Sequence, residues 1–436
     1  METRRIPIGI SDYKELIDEG FYYVDKTDFI RELLENGSKI TLLPRPRRFG
    51  KTLNLSMLRY FFEKTDGNVF RPLFDGKRIR EWKDFDKHQG QYPVIMLTLK
   101  DCKADTFDKA LELVASELQK EFFRHKYLLD SPVMDSTYRP IFQSLLEGNP
   151  GEVRMQRSLL LLSELLTAHW GMPPLVLLDE YDTPIHVAFD KGYYDRMIVF
   201  MRNFMSMVFK DNTSVFRGVI TGILRVSKES IFSGLNNIAV FSLLDRPMST
   251  AFGFIQDEVD GLLDDYSQGR HKEEIKRWYN GYLFGGYVIY NPWSVLNYIM
   301  YDGVFAPYWV NTGSDVLLRH LIAEGPSQVR KGIETLVQGG SLCSVINDKL
   351  AFPDLLSSAS NIWSFMLFSG YLKASDGTMT PDHLMSYTLG VPNTEVSTVF
   401  STIIRGWINN GPVKNDRLEM MLQALDENDI EAFEEI

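Results

Sequence analysis

"KITLLPRPRRFGKTLNLSMLRYFF", residues 39–62, sets an apolar, β-branched run against a knot of arginines and then opens a helical pattern. Lys39–Leu43 reads as a buried strand and Leu53–Phe62 as a helix. Between them, Gly50-Lys51-Thr52 is the back half of G-x-x-x-x-G-K-[ST], a strand-to-helix turn whose backbone N–H groups cradle phosphate. Position 45, where the first glycine of that pattern belongs, is arginine. Two readings stand: an anion site with an altered front end, or a basic surface turn that contains GKT by chance. Between Glu35 and Glu63 there is no acidic residue and there are six basic ones, Lys39, Arg45, Arg47, Arg48, Lys51 and Arg59, surroundings that suit a polyanion.

Working outward, four more short apolar runs follow, at Tyr92–Leu99, Leu175–Leu178, Ser214–Thr221 and Ile238–Leu243. Helical patterns separate them, at Phe107–Phe123, Ser158–Trp170 and Tyr194–Phe209. Strands alternating with amphipathic helices imply a parallel sheet covered on both faces. The fold class predicted is α/β: a P-loop NTPase core over residues 1–245, with a five-stranded, mainly parallel sheet flanked by helices.

The third run ends in "LLDEYDTPI" (177–185), and this acidic strand end shifts the balance toward a nucleotide site. In a P-loop ATPase the strand-end aspartate, here Asp179, holds Mg²⁺ together with the loop hydroxyl, here Thr52. The adjacent Glu180 then orients and deprotonates the attacking water. Lys51 reaches the β- and γ-phosphates, and Arg47, Arg48, Phe49, Gly50 and Leu53 complete the predicted ATP contacts. At the end of the fourth run, Thr221 stands where a sensor would meet the γ-phosphate. Arg225, and Lys228 after it, would neutralise transition-state charge, in cis or across a subunit interface. Asp182 would either pair with Arg47 or Arg48 or cap the next helix.

Beyond residue 245 the texture changes. Residues 246–345 read as a helical lid or linker, interrupted by the aromatic, glycine-rich "RWYNGYLFGGYVIYNPWSVLNY" (277–298), taken as lid core with turn-forming glycines. Residues 346–395 read as a winged-helix-like unit: a helix, a strand at Tyr371–Ala374, a turn at Ser375–Gly377 and a strand near Met385–Val391. Residues 396–436 read as C-terminal helices, the last of them acidic. The ribbon "YLKASDGTMTPDHLMSY" (371–387) holds one lysine and two aspartates, which points to a protein contact over a DNA contact.

The bulk properties narrow the class. The chain has 436 residues, 44% hydrophobic, with a formal net charge of −11, which opposes a surface built to coat nucleic acid. Two distant cysteines, Cys102 and Cys343, suggest neither a disulfide framework nor a four-ligand metal site, and the seven histidines show no metal-like spacing. The N-terminus has no signal-peptide pattern, and no apolar run is long enough to span a bilayer. The expectation is a cytoplasmic protein with no membrane contact.

Several longer blocks carry a resemblance. "YYVDKTDFIRELL" (22–34), "RPRRFGKT" (45–52), "LLDEYDTPI" (177–185), "ITGILRVSKESIFSGLNN" (220–237), "WYNGYLFGGYVIYNPWSVLNY" (278–298) and "YWVNTGS" (308–314) are similar to segments of the AAA-ATPase-like family of bacterial proteins, many of which carry a C-terminal PD-(D/E)xK nuclease. The resemblance runs over nearly the whole chain. It implies a P-loop core of the AAA or STAND-like kind, a helical lid and a winged helix, and it makes Arg45 the family's usual replacement for the first loop glycine. It also implies an adenine-contacting segment around Val24–Thr27, with Asp25 the candidate residue. No such nuclease is expected within these 436 residues. Its nearest internal look-alikes, Asp265 with Glu274-Ile275-Lys276 and Asp75 with Glu81-Trp82-Lys83, lie in helix-like context.

The function this predicts is a Mg²⁺-dependent ATPase switch that controls a nuclease or other effector, in defence against phage or mobile DNA, with a homo-oligomer as one possible assembly. The alternatives are a nucleotide-dependent protein-binding module with negligible turnover, and a winged-helix DNA-binding regulator.

Overall fold

The computed structural model describes residues 4–225, 232, 237–309 and 315–409. Its centre is a sheet of five strands: β1 Ile40–Pro44, β2 Val94–Thr98, β3 Leu175–Asp179, β4 Arg217–Gly222 and β5 Ile238–Val240. The spatial order is β2-β3-β4-β1-β5, and every neighbouring pair is parallel. All residues of β1 and β3 are buried, which is why these runs show no polar alternation. β1 and β3 are not hydrogen-bonded neighbours, since β4 lies between them. This interposition sets the C-terminal ends of β1, β4 and β3 side by side, and those ends carry the loop 45–52, Thr221 and Asp179.

The helices follow the predicted periodicity. Lys51–Phe62 leaves β1, while Phe107–Arg124 and Glu152–Trp170 lie between β2 and β3, and Tyr194–Phe209 leads to β4. Phe107–Arg124 is capped by the Thr106 side chain and buries Ala110, Val114, Leu118 and Phe122, one stripe at helical spacing.

After the sheet come the helices Gln256–Asp265, Lys272–Tyr279 and Pro292–Met300, which enclose a second, smaller core built on Val259, Leu262, Ile275, Tyr279 and Tyr298. The aromatic passage 277–298 contains a strand pair that the helical reading did not expect, β6 Tyr282–Phe284 and β7 Tyr287–Ile289. Gly285-Gly286 sits at its tip. A Gly-Gly pair between apolar runs is a hairpin signal, and here it outweighs the helical pattern on either side.

Farther on, β8 Leu342–Val345, β9 Lys373–Met379 and β10 Met385–Gly390 form an antiparallel sheet in the order β8-β10-β9, with helix Ala359–Ser369 before β9. The helix and ribbon match expectation; β8 is an added strand. The turn does not lie at Ser375–Gly377. Asp376, at φ 50°, and Gly377 form a bulge opposite Tyr387, and the chain reverses only around residues 380–384. Asp-Gly is compatible with either device, and the cross-strand register chose the bulge. The acidic stretch 416–436, Lys228 and most of "YWVNTGS" lie outside the described residues.

The main core runs without a break from the sheet through Trp309, Leu318 and Trp363 to Phe400. One polar group is sealed inside this junction. Glu395, in the first turn of helix Thr394–Asn409, is fully buried and accepts hydrogen bonds from the Ser294 hydroxyl at 2.8 Å and the Trp309 N–H at 2.7 Å. It makes no ion pair among the described residues. Burial pushes its carboxyl from 4.5 up to about 7. The native state therefore holds a proton over that interval which the unfolded chain has released. Glu395's contribution to stability falls as pH rises from 4.5 to 7, by up to about 3 kcal/mol. Urea unfolding between pH 5 and pH 8 is expected to show this decline, and Glu395→Gln is expected to flatten it. An identical slope in the variant would contradict the assignment.

Candidate nucleotide site

The loop after β1 is shaped by two left-handed residues, Arg48 at φ 68° and Gly50 at φ 84°. Glycine accepts that geometry freely and arginine only under constraint. Gly50 opens the helix Lys51–Phe62, so the loop's N–H groups converge at a helix N-terminus, the arrangement that binds anions. Lys51 is buried, and its Nζ donates to the carbonyls of Arg45 and Pro46, each at 3.0 Å. Burial holds its amine below the usual lysine range.

Arg45 resolves the altered front end. It is completely buried, and its guanidinium donates to the carbonyls of Pro44 at 2.8 Å, Phe241 at 2.7 Å and Met248 at 3.3 Å. The rings of Phe252 and Phe284 lie against it at 5.2 and 5.6 Å. Burial lowers its pKa to about 10. The arginine thus binds the loop's entry to the sheet and to the segment after it, and contributes nothing to a basic surface turn.

Beside the loop, the three strand ends meet in one hydrogen-bonded array. Asp179, fully buried, accepts from the Thr52 hydroxyl at 2.6 Å on one oxygen and from the Thr221 hydroxyl at 2.6 Å on the other. Burial raises its carboxyl pKa, and the two hydroxyls pull against that rise. Glu180 follows at φ 51°, a left-handed backbone that a side chain rarely adopts. Its Oε2 accepts from the Thr183 hydroxyl at 3.2 Å. Asp182 neither pairs with Arg47 or Arg48 nor caps its helix through its side chain. It accepts the N–H groups of Ile223 and Leu224 at 2.8 and 2.9 Å, tying the exit of β4 to the acidic turn after β3.

A cavity of about 310 Å³ opens over this array. Gly50, Lys51, Thr52 and Glu180 line one side; Ile10, Tyr23, Phe254, Trp293 and Leu296 line an apolar side. Leu53, Phe49 and Arg48 also line it. Phe49 is chiefly an anchor, its ring packed at 5.0 and 5.2 Å from those of Tyr282 and Phe284. The Arg48 guanidinium lies 3.8 Å from the centre of the Trp293 ring.

Three expected site residues are placed elsewhere. Asp25 does not line the cavity: its carboxylate accepts from the Thr27 N–H and hydroxyl at 2.9 and 2.6 Å and from the Arg78 N–H at 2.8 Å, which makes it a local structural clasp. Its neighbours Val24 and Lys26 do line it. Arg47 gives its carbonyl to the Trp309 indole at 3.1 Å, and its side chain borders a separate small hollow with Asp182 and His186. Arg225 forms an ion pair with Asp348 at 2.8 Å, away from the cavity. Conversely, Pro7, Ile10, Leu16, Lys100 and Trp293 belong to the lining and carry no nucleotide-binding motif; only the aromatic density of 277–298 hinted at Trp293.

Among the described residues no group of three or more His, Cys, Asp or Glu is placed to hold a metal. A hydrated divalent cation with few protein ligands does fit: the Thr52 hydroxyl and the Asp179 carboxylate are hard oxygen donors already in contact, beside the loop whose N–H groups converge at a helix N-terminus.

The segment 7–232, just over half of the chain, matches the family model described as "Predicted AAA-ATPase". A protein of Azotobacter chroococcum mcd 1, described as "Uncharacterized protein in vnfD 5'region", is 31% identical over 331 residues. That match covers 74% of this chain and 57% of the relative, so the chain spans little more than half of the relative's length. With the parallel sheet in the order β2-β3-β4-β1-β5 and the loop and acidic turn at adjoining strand ends, these likenesses agree: the chain belongs to the predicted AAA-ATPase family.

Proposed function

We propose that this protein binds and hydrolyses ATP with Mg²⁺ and uses the cycle as a switch. The observation that carries the reading is the hydrogen-bonded contact of Thr52, Asp179 and Thr221, with Thr52 lining one cavity together with Lys51 and Glu180. In this reading the loop N–H groups and Lys51 hold the β- and γ-phosphates, and Lys51 exchanges its two loop carbonyls for phosphate oxygens. The apolar wall with Trp293 and Phe254 takes the base. Mg²⁺, held by Thr52 and Asp179, would supply charge neutralisation between the β- and γ-phosphates. Glu180 orients a water and takes its proton as the oxygen attacks the γ-phosphorus, and the bond to the bridging oxygen breaks with its electron pair leaving on ADP. Thr221, sharing Asp179, registers whether the γ-phosphate is present.

A switch needs the loop to be mechanically connected to the rest of the chain. Supporting this, the Trp309 indole holds the Arg47 carbonyl, and Gly370, at φ 91°, lies so close to Pro46 that an added Cβ would come within 2.9 Å of its ring. We accordingly take residues 1–245 as the ATPase core, 246–345 as lid, 346–395 as a winged-helix-like module and 396–436 as C-terminal helices. The output, a nuclease or other effector acting in defence against phage or mobile DNA, is proposed on the family resemblance, as is a homo-oligomeric form. The burial of Arg45 weakens the DNA-regulator alternative.

Titration with a fluorescent ATP analogue and Mg²⁺ tests the reading. The wild type should bind, and Lys51→Ala should weaken binding about 10- to 100-fold, the worth of one or two charge-assisted hydrogen bonds. No binding by a folded wild-type chain would overturn the proposal.

A further inference from the structure

The cavity's charge is lopsided. Its lining includes four cations, Lys26, Arg48, Lys51 and Lys100, against one carboxylate, Glu180. Lys26 is already neutralised by Glu258 at 2.6 Å, and Arg48 lies on Trp293. Lys51 belongs to the loop. Lys100 is left over: it is exposed, makes no ion pair among the described residues, and comes from a part of the chain without a nucleotide-binding motif.

Its position is set by the sheet edge. Thr98, the last residue of β2, pairs in register with Asp179, and the Leu99 N–H donates to the Asp179 carbonyl at 2.9 Å. Lys100 follows two residues after Thr98, just past the end of β2, as Glu180 follows one residue after Asp179 at the end of β3, and both line the same cavity. An exposed lysine after a strand is ordinarily a solvated charge. Here it lines the same cavity as Gly50, Lys51, Thr52 and Glu180, the residues assigned above to a nucleotide's phosphates and to the attacking water. Arg225, the cation expected there, is engaged with Asp348.

We propose that Lys100 is a γ-phosphate ligand acting in cis, and that it makes the site prefer nucleoside triphosphate over diphosphate. The inference rests on the ATPase reading above and deepens it. As the γ-phosphoryl group is transferred to water, with the proton going to Glu180 and the bridging electron pair to ADP, the Lys100 ammonium offsets charge on the equatorial oxygens.

The test compares ATP and ADP affinities, each with Mg²⁺, for the wild type, Lys100→Ala and Lys100→Arg, with ATP hydrolysis measured alongside. Lys100→Ala is expected to weaken ATP about 10-fold or more with ADP affinity unchanged, and to slow hydrolysis about 100-fold. Lys100→Arg, which keeps the charge, should recover most of the ATP preference. Because the preference is read from binding, it stands even if turnover is slow. A Lys100→Ala protein with wild-type ATP-over-ADP preference and wild-type hydrolysis would overturn the inference while leaving the ATPase reading intact. A wild type that binds neither nucleotide would overturn both.

Discussion

Replacing Glu180 with glutamine is expected to slow ATP hydrolysis about 1,000-fold, the middle of the range for removing a general base, with ATP affinity nearly unchanged. Glutamine keeps the length of the side chain and an oxygen for the Thr183 hydroxyl, so the left-handed turn at Glu180 retains its local support. What it cannot do is take a proton from water. Single-turnover hydrolysis alongside binding separates the two effects: loss of the chemical step with binding retained assigns Glu180 as the base. Equal hydrolysis in variant and wild type would remove Glu180 from the mechanism. The outcome also discriminates between switch and binding module, because a chain that only binds ATP has no turnover for the substitution to remove.

Restoring the glycine of the phosphate-loop pattern, Arg45→Gly, is expected to destabilise the protein by about 3–5 kcal/mol. Read as a motif, the change looks like a repair. In the fold it strips a fully buried guanidinium from the carbonyls of Pro44, Phe241 and Met248 and opens a void between Phe252 and Phe284. The carbonyls then lose partners that water reaches poorly, and glycine adds backbone freedom at the end of β1. Urea unfolding should show a lower midpoint with little change in slope. Arg45→Lys should recover only part of the loss, because one ammonium cannot reproduce the planar fork. A glycine variant as stable as the wild type would mean that Arg45 does not fasten the loop.

The sheet was legible because burial on both faces leaves a strong mark: near-continuous apolar runs at 39–43, 92–99, 175–178, 214–221 and 238–243 all became strands. The acidic strand end was legible for a related reason. Two adjacent acids closing such a run, Asp179 and Glu180, oppose the hydrophobic pattern so sharply that packing alone does not account for them. The partners that hold Asp25 and Arg225 away from the cavity were not legible, because a charged residue near a motif looks the same in sequence whether it faces ligand or clasps its own backbone. Asp25 meets the Thr27 and Arg78 amides, and Arg225 meets Asp348, partners up to 123 positions away. The hairpin β6–β7 was a local miss, since Gly285-Gly286 announced it.

The sequence by itself determined the element order, the parallel sheet, the position of the loop at the end of β1 and of the acids at the end of β3. Each follows from short-range pattern: burial periodicity, glycine at a left-handed turn, and charge closing an apolar run. Only the tertiary structure decided that Arg45 is an internal fastener, that Asp182 ties β4 to the acidic turn, and that Lys100 and Trp293 share a cavity with Lys51 and Glu180. Those facts depend on strand order and on which distant carbonyls and rings surround a charge. A cation's role is set by its desolvation and its partners, and neither is written in its immediate neighbours along the chain.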